Sequence, residues 1–421
     1  MHIELINTGS ELLLGRILNT HQQWICRQMA DLGYVVNRQI AIPDEARGIQ
    51  EVLRESLGRS DLIILTGGLG PTSDDLTRDL LAQLLQLPLR LDQEVLAGIE
   101  QYFVSRRRVM PASARVQAMV PESARILPNP HGTAPGLAVE LKPNRFRPDG
   151  EHCWLVLLPG PPRELRPMFS ACLVPLLLRE FPLAATFVSK TLKTTGLGES
   201  LVEEKIAGTL APLVSAGLEL GYCARVGEVE VRLAARGAEA GNLVQRAEEM
   251  VRAHLGPIIY ATDDGSLESA VVRAMTARKL TLAVAESCTG GLISHRLTNV
   301  PGASAVLNGA LVTYSNEAKQ IFLEISAQSL DQQGAVSEEV ARQMAEGARR
   351  CCRVDYAIAV TGIAGPSGGS EAKPVGTVFI ALAAEDQTVV ERHFNSFDRE
   401  TFKFLTSQQA LDLLRRSLPA D

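Results

Sequence analysis

Apolar positions along this chain follow two rhythms, and where one gives way to the other marks its elements. The run HIELIN at 2–7 reads as a short buried strand stopped by Thr8-Gly9-Ser10. From about 19 to 32, Trp24, Ile25, Met29 and Leu32 fall at helical spacing, and Gly33 ends the pattern. A strand over 34–42 (YVVNRQIAI), a helix after Pro43-Asp44 and the continuous apolar strand DLIILT at 61–66 follow. Strand, helix, strand, helix, strand predicts a parallel α/β sheet, whose ligands bind at the carboxyl ends of the strands. CWLVLL at 153–158 predicts a further buried strand, and the Pro/Gly-rich segment 142–152 before it a turn. From 171 to about 260 the texture changes to a helix over 196–210, a half-buried strand EVEVRLAAR at 228–236 and a helix over 238–255. A third region opens with a helix over 266–279 and continues with strands LTLAVAE (280–286), 305–315 and YAIAVT (356–361).

Composition changes this picture little. At 421 residues the chain exceeds one ordinary core, so several domains are expected. A net charge of -6 gives no long-range attraction to nucleic acid or an anionic membrane. Seven scattered cysteines without a C-x-x-C pair argue against a disulfide framework or a structural zinc site, and fit a reducing cytoplasm. No basic leader opens the chain and no uncharged run nears the roughly 20 residues of a membrane span, so a cytoplasmic protein is expected.

Two stretches carry chemistry. TGGLGPTSDDLT at 66–77 follows an apolar strand, and Gly67, Gly68 and Gly70 let backbone N–H groups approach a phosphate, with a helix expected to begin near Asp74. No Gly-Lys-Ser/Thr follows, so it is not a Walker loop. Asp74 and Asp75 offer hard oxygen donors for a phosphate-bridging divalent cation; the ordinary alternative is that they cap the helix. Arg106–Arg108, expected within a helix, reads more simply as a solvated face than as a phosphate contact.

The second stretch is AESCTGG at 285–291. Thr289, Gly290 and Gly291 begin a helix whose free N–H groups are expected to point back toward Ser287 and hold an oxyanion. A serine hydroxyl needs a base; Lys319 is the candidate if burial or neighbouring groups lower its pKa, and Tyr314 is expected to relay or position the proton. Cys288 is the rival nucleophile, ranked second because no histidine stands in a motif-like setting to ionise it; His295 is expected to be exposed. The alternative is a tight turn with a packing tyrosine and a surface lysine. TGIAGPSGG at 361–369, containing Thr361, Gly362 and Gly365, is a second glycine loop suited to substrate contact. Arg399, at a helix start, reads by itself as a plain surface cation. Ser337 is a helix N-cap without assigned function.

Two resemblances organise these residues. TGSELLLGRILNT (8–20), TGGLGPTSDDLT, NPHGTAPG (129–136) and LPGPPRE (158–164) resemble the molybdopterin-binding fold of MogA, MoaB and MoeA proteins, and more closely the N-terminal domain of the CinA family. The likeness implies a metal-dependent ADP-ribose pyrophosphatase over 1–170 yielding AMP and ribose 5-phosphate. Glu11, Asp44, Asp74 and Asp75 would hold a divalent ion (Mg2+, Mn2+ or Co2+), with K+ as an optional addition, and the loop with Thr72 would hold substrate. His21 departs from the family's usual Asn-Thr-Asn. A KH-like α/β module is implied over 171–262. That segment shows no basic excess and no Gly-x-x-Gly between basic residues, so a spacer or dimerisation role is expected there and nucleic acid is not.

AESCTGG, GALVTYSNEAK (309–319), GAVSEEV (334–340), TGIAGPSGG and KPVGTV (373–378) resemble the nicotinamide-nucleotide amidase (PncC) domain that CinA proteins carry at 263–421 in this numbering. This implies deamidation of nicotinamide mononucleotide (NMN) to nicotinate mononucleotide and ammonia by Ser287, Tyr314 and Lys319, without a cofactor, in a homodimer; Arg399 matches a family arginine, which implies a partner for the nucleotide's phosphate. The expected fold is therefore α/β throughout: a molybdopterin-binding-like sheet domain, a small KH-like domain and an amidase domain. The expected function is a bifunctional enzyme of pyridine-nucleotide salvage. The alternatives are an N-terminal pterin- or nucleotide-binding regulatory module linked to competence or damage response, and a pyrophosphatase for another nucleoside diphosphate derivative.

Overall fold

The computed structural model describes residues 1–419, which divide by their contacts into two units, Met1–Phe187 and Val188 onward.

In the first unit, β1 (Ile3–Thr8), β2 (Arg38–Ile42), β3 (Leu62–Thr66) and β8 (Cys153–Leu158) form the parallel part of a sheet ordered β2-β1-β3-β8-β7-β6. The antiparallel strands β7 (Gly136–Leu141) and β6 (Arg125–Leu127) complete it; β4 (Leu89–Leu91) and β5 (Met119–Pro121) pair separately. Strand alternation decides the two faces. Ile3, Leu5, Ile64 and Val156 pack with α2 (Thr20–Asp31) on one side, after the short α1 (Ser10–Leu13). Ile6, Ile63, Leu65 and Leu155 pack on the other against α3 (Ala46–Leu57) and α4 (Thr77–Leu85). The helices α5 (Gln93–Ser105), α6 (Pro162–Met168) and α7 (Val174–Glu180) follow. The unit runs past the expected boundary at 170, because Phe169, Leu173, Leu176 and Leu177 fill the α2-side core.

In the second unit, β9 (Phe187–Thr195), α8 (Glu199–Ser215), β10 (Glu219–Arg225), β11 (Glu228–Arg236), α9 (Ala240–Leu255) and β12 (Ile259–Thr262) build a sheet ordered β10-β11-β9-β12, with α8 and α9 closing one core. The chain then forms α10 (Leu267–Arg278), β13 (Leu282–Glu286), α11 (Leu292–Thr298) and β14 (Leu307–Val312), followed by α12 (Asn316–Leu323), α13 (Ala327–Gln333) and α14 (Glu338–Cys352). It ends with β15 (Tyr356–Gly362), β16 (Thr377–Ala383), β17 (Thr388–Phe394) and α15 (Arg399–Ser417). The sheet order is β14-β13-β15-β16-β17, with β13 parallel to both its neighbours. Leu282, Val284, Ile358 and Val360 face α10, α11 and α15; Ala283, Ala285, Ala357 and Ala359 face the helices α12 to α14. The central strands β13 and β15 are thus apolar on both sides, as a sheet covered by helices on both faces requires, while the edge strand β14 exposes alternate residues. No helix among the described residues is long and apolar enough to cross a membrane.

Candidate functional site

The carboxyl ends of β13 and β14 lie side by side, with Glu286 paired to Val312, so the loops that leave them meet. The β13 loop carries Ser287. The β14 loop carries Thr313 and Tyr314 and feeds α12, whose N-cap Ser315 accepts from the Ala318 amide and whose first turns carry Lys319. Lys319 is buried, and its Nζ lies 3.1 Å from Ser287 Oγ, 2.9 Å from the Thr313 carbonyl and 3.3 Å from that of Tyr314. Among the described residues no carboxylate pairs with this amine, and burial pushes its pKa below the ordinary lysine value. The strand expected to reach 315 ends at Val312, which leaves Tyr314 in the loop, 60% exposed. Its hydroxyl accepts from Arg399 Nη2 at 2.8 Å, while Nη1 donates to the Gly365 carbonyl at 2.8 Å. The tyrosine therefore touches the arginine through its hydroxyl, and Ser287 through neither donor nor acceptor.

Cys288 points the other way. It is buried in the core with Val284, Ile293 and Phe402, and desolvation pushes its thiol up to about 12. His295 is exposed and contacts Asn299.

The helix start after Ser287 differs from expectation. The amides of Gly291, Ile293 and Ser294 and the hydroxyls of Thr289 and Ser294 all donate to the buried carboxylate of Glu286, at 2.7 to 3.1 Å. These N–H groups are consumed by an internal anion and are not free for an oxyanion at Ser287. The Gly290 amide bonds the Ser287 carbonyl. Among the described residues, the amides of Cys288 and Thr289 have no main-chain partner. Glu286 stood in the quoted motif as the end of a strand. The signal that could have found it is a carboxylate closing an apolar strand just before a glycine-rich helix start. The Thr361 hydroxyl is also engaged internally, donating to the Ala335 carbonyl at 2.7 Å. Gly362 lies within β15, and Ser337 caps α14.

In the first unit a cleft of about 430 Å³ opens where β1 and β3 end. Glu11, Asp44, Asp74, Asp75, Gly67, Gly68 and Gly70 all line it, joined by Glu164 and Gln117, and no lining residue is basic. Helix α4 begins at Thr77, not near Asp74, because residues 72–75 close a turn of their own. In that turn Asp75 accepts both the Thr72 amide, at 2.9 Å, and the Thr72 hydroxyl, so this threonine faces the aspartate. A Cβ at Gly70 would lie 2.2 Å from Asp75 Oδ2, so a side chain there would displace this carboxylate. Asp44 is fixed by the Ser10 amide at 2.9 Å. No group of three or more His, Cys, Asp or Glu among the described residues is arranged to hold a metal ion, so the acids share the cleft without converging. Gln117 is buried with its Oε1 unpartnered, and Glu164 is buried and held by Asn129 Nδ2 at 2.8 Å. Thr133 and Glu164 also line a larger neighbouring chamber of about 930 Å³, walled by α5 and α6. His21 meets the backbone of Gly160 at the cleft rim. Arg106 to Arg108 follow the end of α5, not its interior, with Arg106 over the Tyr102 ring at 3.6 Å.

Three family profiles match successive parts of the chain: a probable molybdopterin binding domain at 4–179, a damage-inducible protein CinA KH domain at 189–261 and a CinA C-terminal domain at 264–418. A Moorella thermoacetica chain provisionally designated a competence-damage inducible protein is 44% identical, covering 100% of this chain and 99% of its own. A CinA-like protein of Akkermansia muciniphila is 41% identical over 98% and 96% of the two chains. The crystal structure of the competence/damage inducible protein CihA from Agrobacterium tumefaciens matches 35% of this chain and 91% of its own at 41% identity, with a TM-score of 0.35. With near full-length identity to such relatives and all three domain types in order, the chain belongs to the CinA family.

Proposed function

We propose that the C-terminal domain is an amidohydrolase that converts NMN to nicotinate mononucleotide and ammonia. The observation that carries this reading is the 3.1 Å contact between the buried Lys319 amine and the Ser287 hydroxyl. A neutral amine has two N–H donors and one lone pair. With the donors on the Thr313 and Tyr314 carbonyls, the lone pair is left for the Ser287 O–H. Burial without a carboxylate partner favours that neutral form.

Ser287 Oγ attacks the carboxamide carbon as its proton passes to Lys319 Nζ. The tetrahedral oxyanion is met by the open amides of Cys288 and Thr289. Collapse breaks the C–N bond, and Lys319 returns the proton to the departing ammonia. Water, deprotonated by Lys319, then opens the acyl-serine ester to nicotinate and restores the hydroxyl. In the full-length protein, Ser287→Ala should lower ammonia release from NMN by at least about a thousandfold while sparing ADP-ribose hydrolysis. Undiminished deamidation would sink the assignment.

For the N-terminal domain the reading is hydrolysis of ADP-ribose to AMP and ribose 5-phosphate. It is supported by a cleft with five carboxylates and no basic side chain. A diphosphate entering it requires a cation between like charges. Asp44, Asp74, Asp75 and Glu11 are hard donors suited to Mg2+, Mn2+ or Co2+, with substrate oxygens and water completing a shell the protein leaves open. When bound, such an ion neutralises the diphosphate and acidifies water. The chain's own residues shape the site: Asp75 holds the turn at Thr72, and the adjoining chamber leaves room for a nucleoside. The unconverged acids favour a second reading, a non-catalytic pterin- or nucleotide-binding module linked to competence or damage response. Assaying the full chain with ADP-ribose across the three divalent ions, with and without K+, separates the two; turnover with none of them favours the binding module.

A further inference from the structure

The loop around Ser287 gathers more positive charge than acyl transfer needs. Lys319, neutral on the amidase reading, lies beneath it, and the charge comes from α15. Arg399 is pinned by two neutral oxygens, the Gly365 carbonyl and the Tyr314 hydroxyl, which orient its guanidinium without compensating its charge. One turn further along α15, on the same helix face, Lys403 is half-buried, and its Nζ lies 3.9 Å from where a Cβ on Gly290 would stand. Gly290 has φ +62, so the loop passes under this ammonium with bare backbone.

Among the described residues neither Arg399 nor Lys403 has a carboxylate within 4.0 Å. Glu286, the acid in the loop itself, is buried and engaged by its five donors. Like charges four residues apart disfavour a helix, and these two sit in the first turns of α15, where the helix dipole is already positive. Three sources of positive potential thus converge at the edge of one nucleophile's loop, an arrangement that an anionic ligand compensates.

Resting on the amidase reading, in which Arg399 is the expected partner of the substrate phosphate, we propose that Lys403 completes a clamp for that monoester and is the residue by which the site separates a nucleotide from its nucleoside. The planar guanidinium, held by two of its donors, keeps others for phosphate oxygens; the lysine supplies a point charge from the Gly290 side. Neither moves a proton in the reaction. Their contribution is therefore to binding, with Lys319 and Ser287 left to carry the turnover step.

The test uses the full-length protein with Lys403→Gln and Lys403→Arg. Ammonia release is measured from NMN and from the dephosphorylated nucleoside, nicotinamide riboside. Lys403→Gln should raise KM for the nucleotide about tenfold with kcat within about threefold, leave kcat/KM for the nucleoside unchanged, and be largely rescued by Lys403→Arg. An equal effect on nucleotide and nucleoside overturns the clamp. Calorimetric titration with ribose 5-phosphate needs no turnover, and sites elsewhere contribute equally to both proteins: the clamp requires weaker binding by Lys403→Gln, and superimposable titrations overturn it. If the wild type releases ammonia from neither compound, the amidase reading fails while this titration still decides the clamp.

Discussion

Arg399 Nη2 donates to the Tyr314 hydroxyl at 2.8 Å, while the polar contact to Ser287 Oγ comes from Lys319 at 3.1 Å. On the amidase reading, a tyrosine so placed is expected to orient a cation and not to relay the serine's proton. Tyr314→Phe removes one exposed, charge-assisted hydrogen bond worth about 1 kcal/mol, so KM for NMN should rise about fivefold with kcat within about twofold. A hundredfold fall in kcat would restore the relay.

On the amidase reading Lys319 must be neutral to act, and burial holds its pKa below the ordinary 10.5. Amidase kcat/KM should therefore rise with pH along a limb whose midpoint lies below 10.5, and fall away as acidification protonates the amine. Lys319→Arg cannot deprotonate and should lose at least about a thousandfold in kcat. The same depression has a stability consequence. Between the lowered pKa and 10.5 the unfolded chain binds more protons than the folded one, so stability from this site increases with pH and levels off above 10.5. Lys319→Met should accordingly raise the urea midpoint at neutral pH, with the gain shrinking toward pH 10.5.

Glu286 gathers three amides and two hydroxyls. Glu286→Gln places an NH2 group against some of these donors and removes the charge they converge on, which should cost about 3 kcal/mol. Urea unfolding of the variant measures this; a midpoint unchanged from wild type would show that the loop holds its shape without the carboxylate.

Much of this architecture was legible because the buried strands are local statements. DLIILT, CWLVLL and LTLAVAE are continuous apolar runs and HIELIN is nearly one, so no partner need be known to read them. The meeting of Ser287 with Lys319 is not local. It depends on the β13–β14 register that sets Glu286 beside Val312, which spacing along the chain does not specify. The helix start near Asp74 was misplaced because Thr72 and Asp75 satisfy each other in a turn, a competitor to capping that uses the same residue types. Of the oxyanion donors expected at Thr289 to Gly291, the Gly291 amide is taken by Glu286 and the Gly290 amide by the Ser287 carbonyl, which leaves the amide of Thr289. The direction of Tyr314 could not follow from strand parity, since the strand ends two residues before it.

At the acid cleft, Asp75→Asn keeps an acceptor for the Thr72 amide but removes one of five negative charges. Divalent-ion affinity, followed by calorimetry, should fall about 10- to 100-fold without loss of fold. A chelator added to the wild type should stop ADP-ribose hydrolysis and leave ammonia release from NMN intact. Equal inhibition of both would place the ion at the amidase site as well.

Cys288 adjoins the serine and is intrinsically the better nucleophile, yet its burial gives it no thiolate to use. With the thiol pushed up to about 12, the reactive fraction at pH 8 is on the order of one in ten thousand, and its sulfur lies among core side chains. Iodoacetamide at that pH should modify the exposed Cys223 and Cys351 first and leave amidase activity unchanged. Cys288→Ala should retain kcat within about threefold and lose about 1 kcal/mol of stability from the vacated sulfur volume. Inactivation that tracks alkylation of Cys288, read by peptide mass mapping, would return the cysteine to the mechanism; labelling confined to other thiols with full activity leaves Ser287 as the nucleophile.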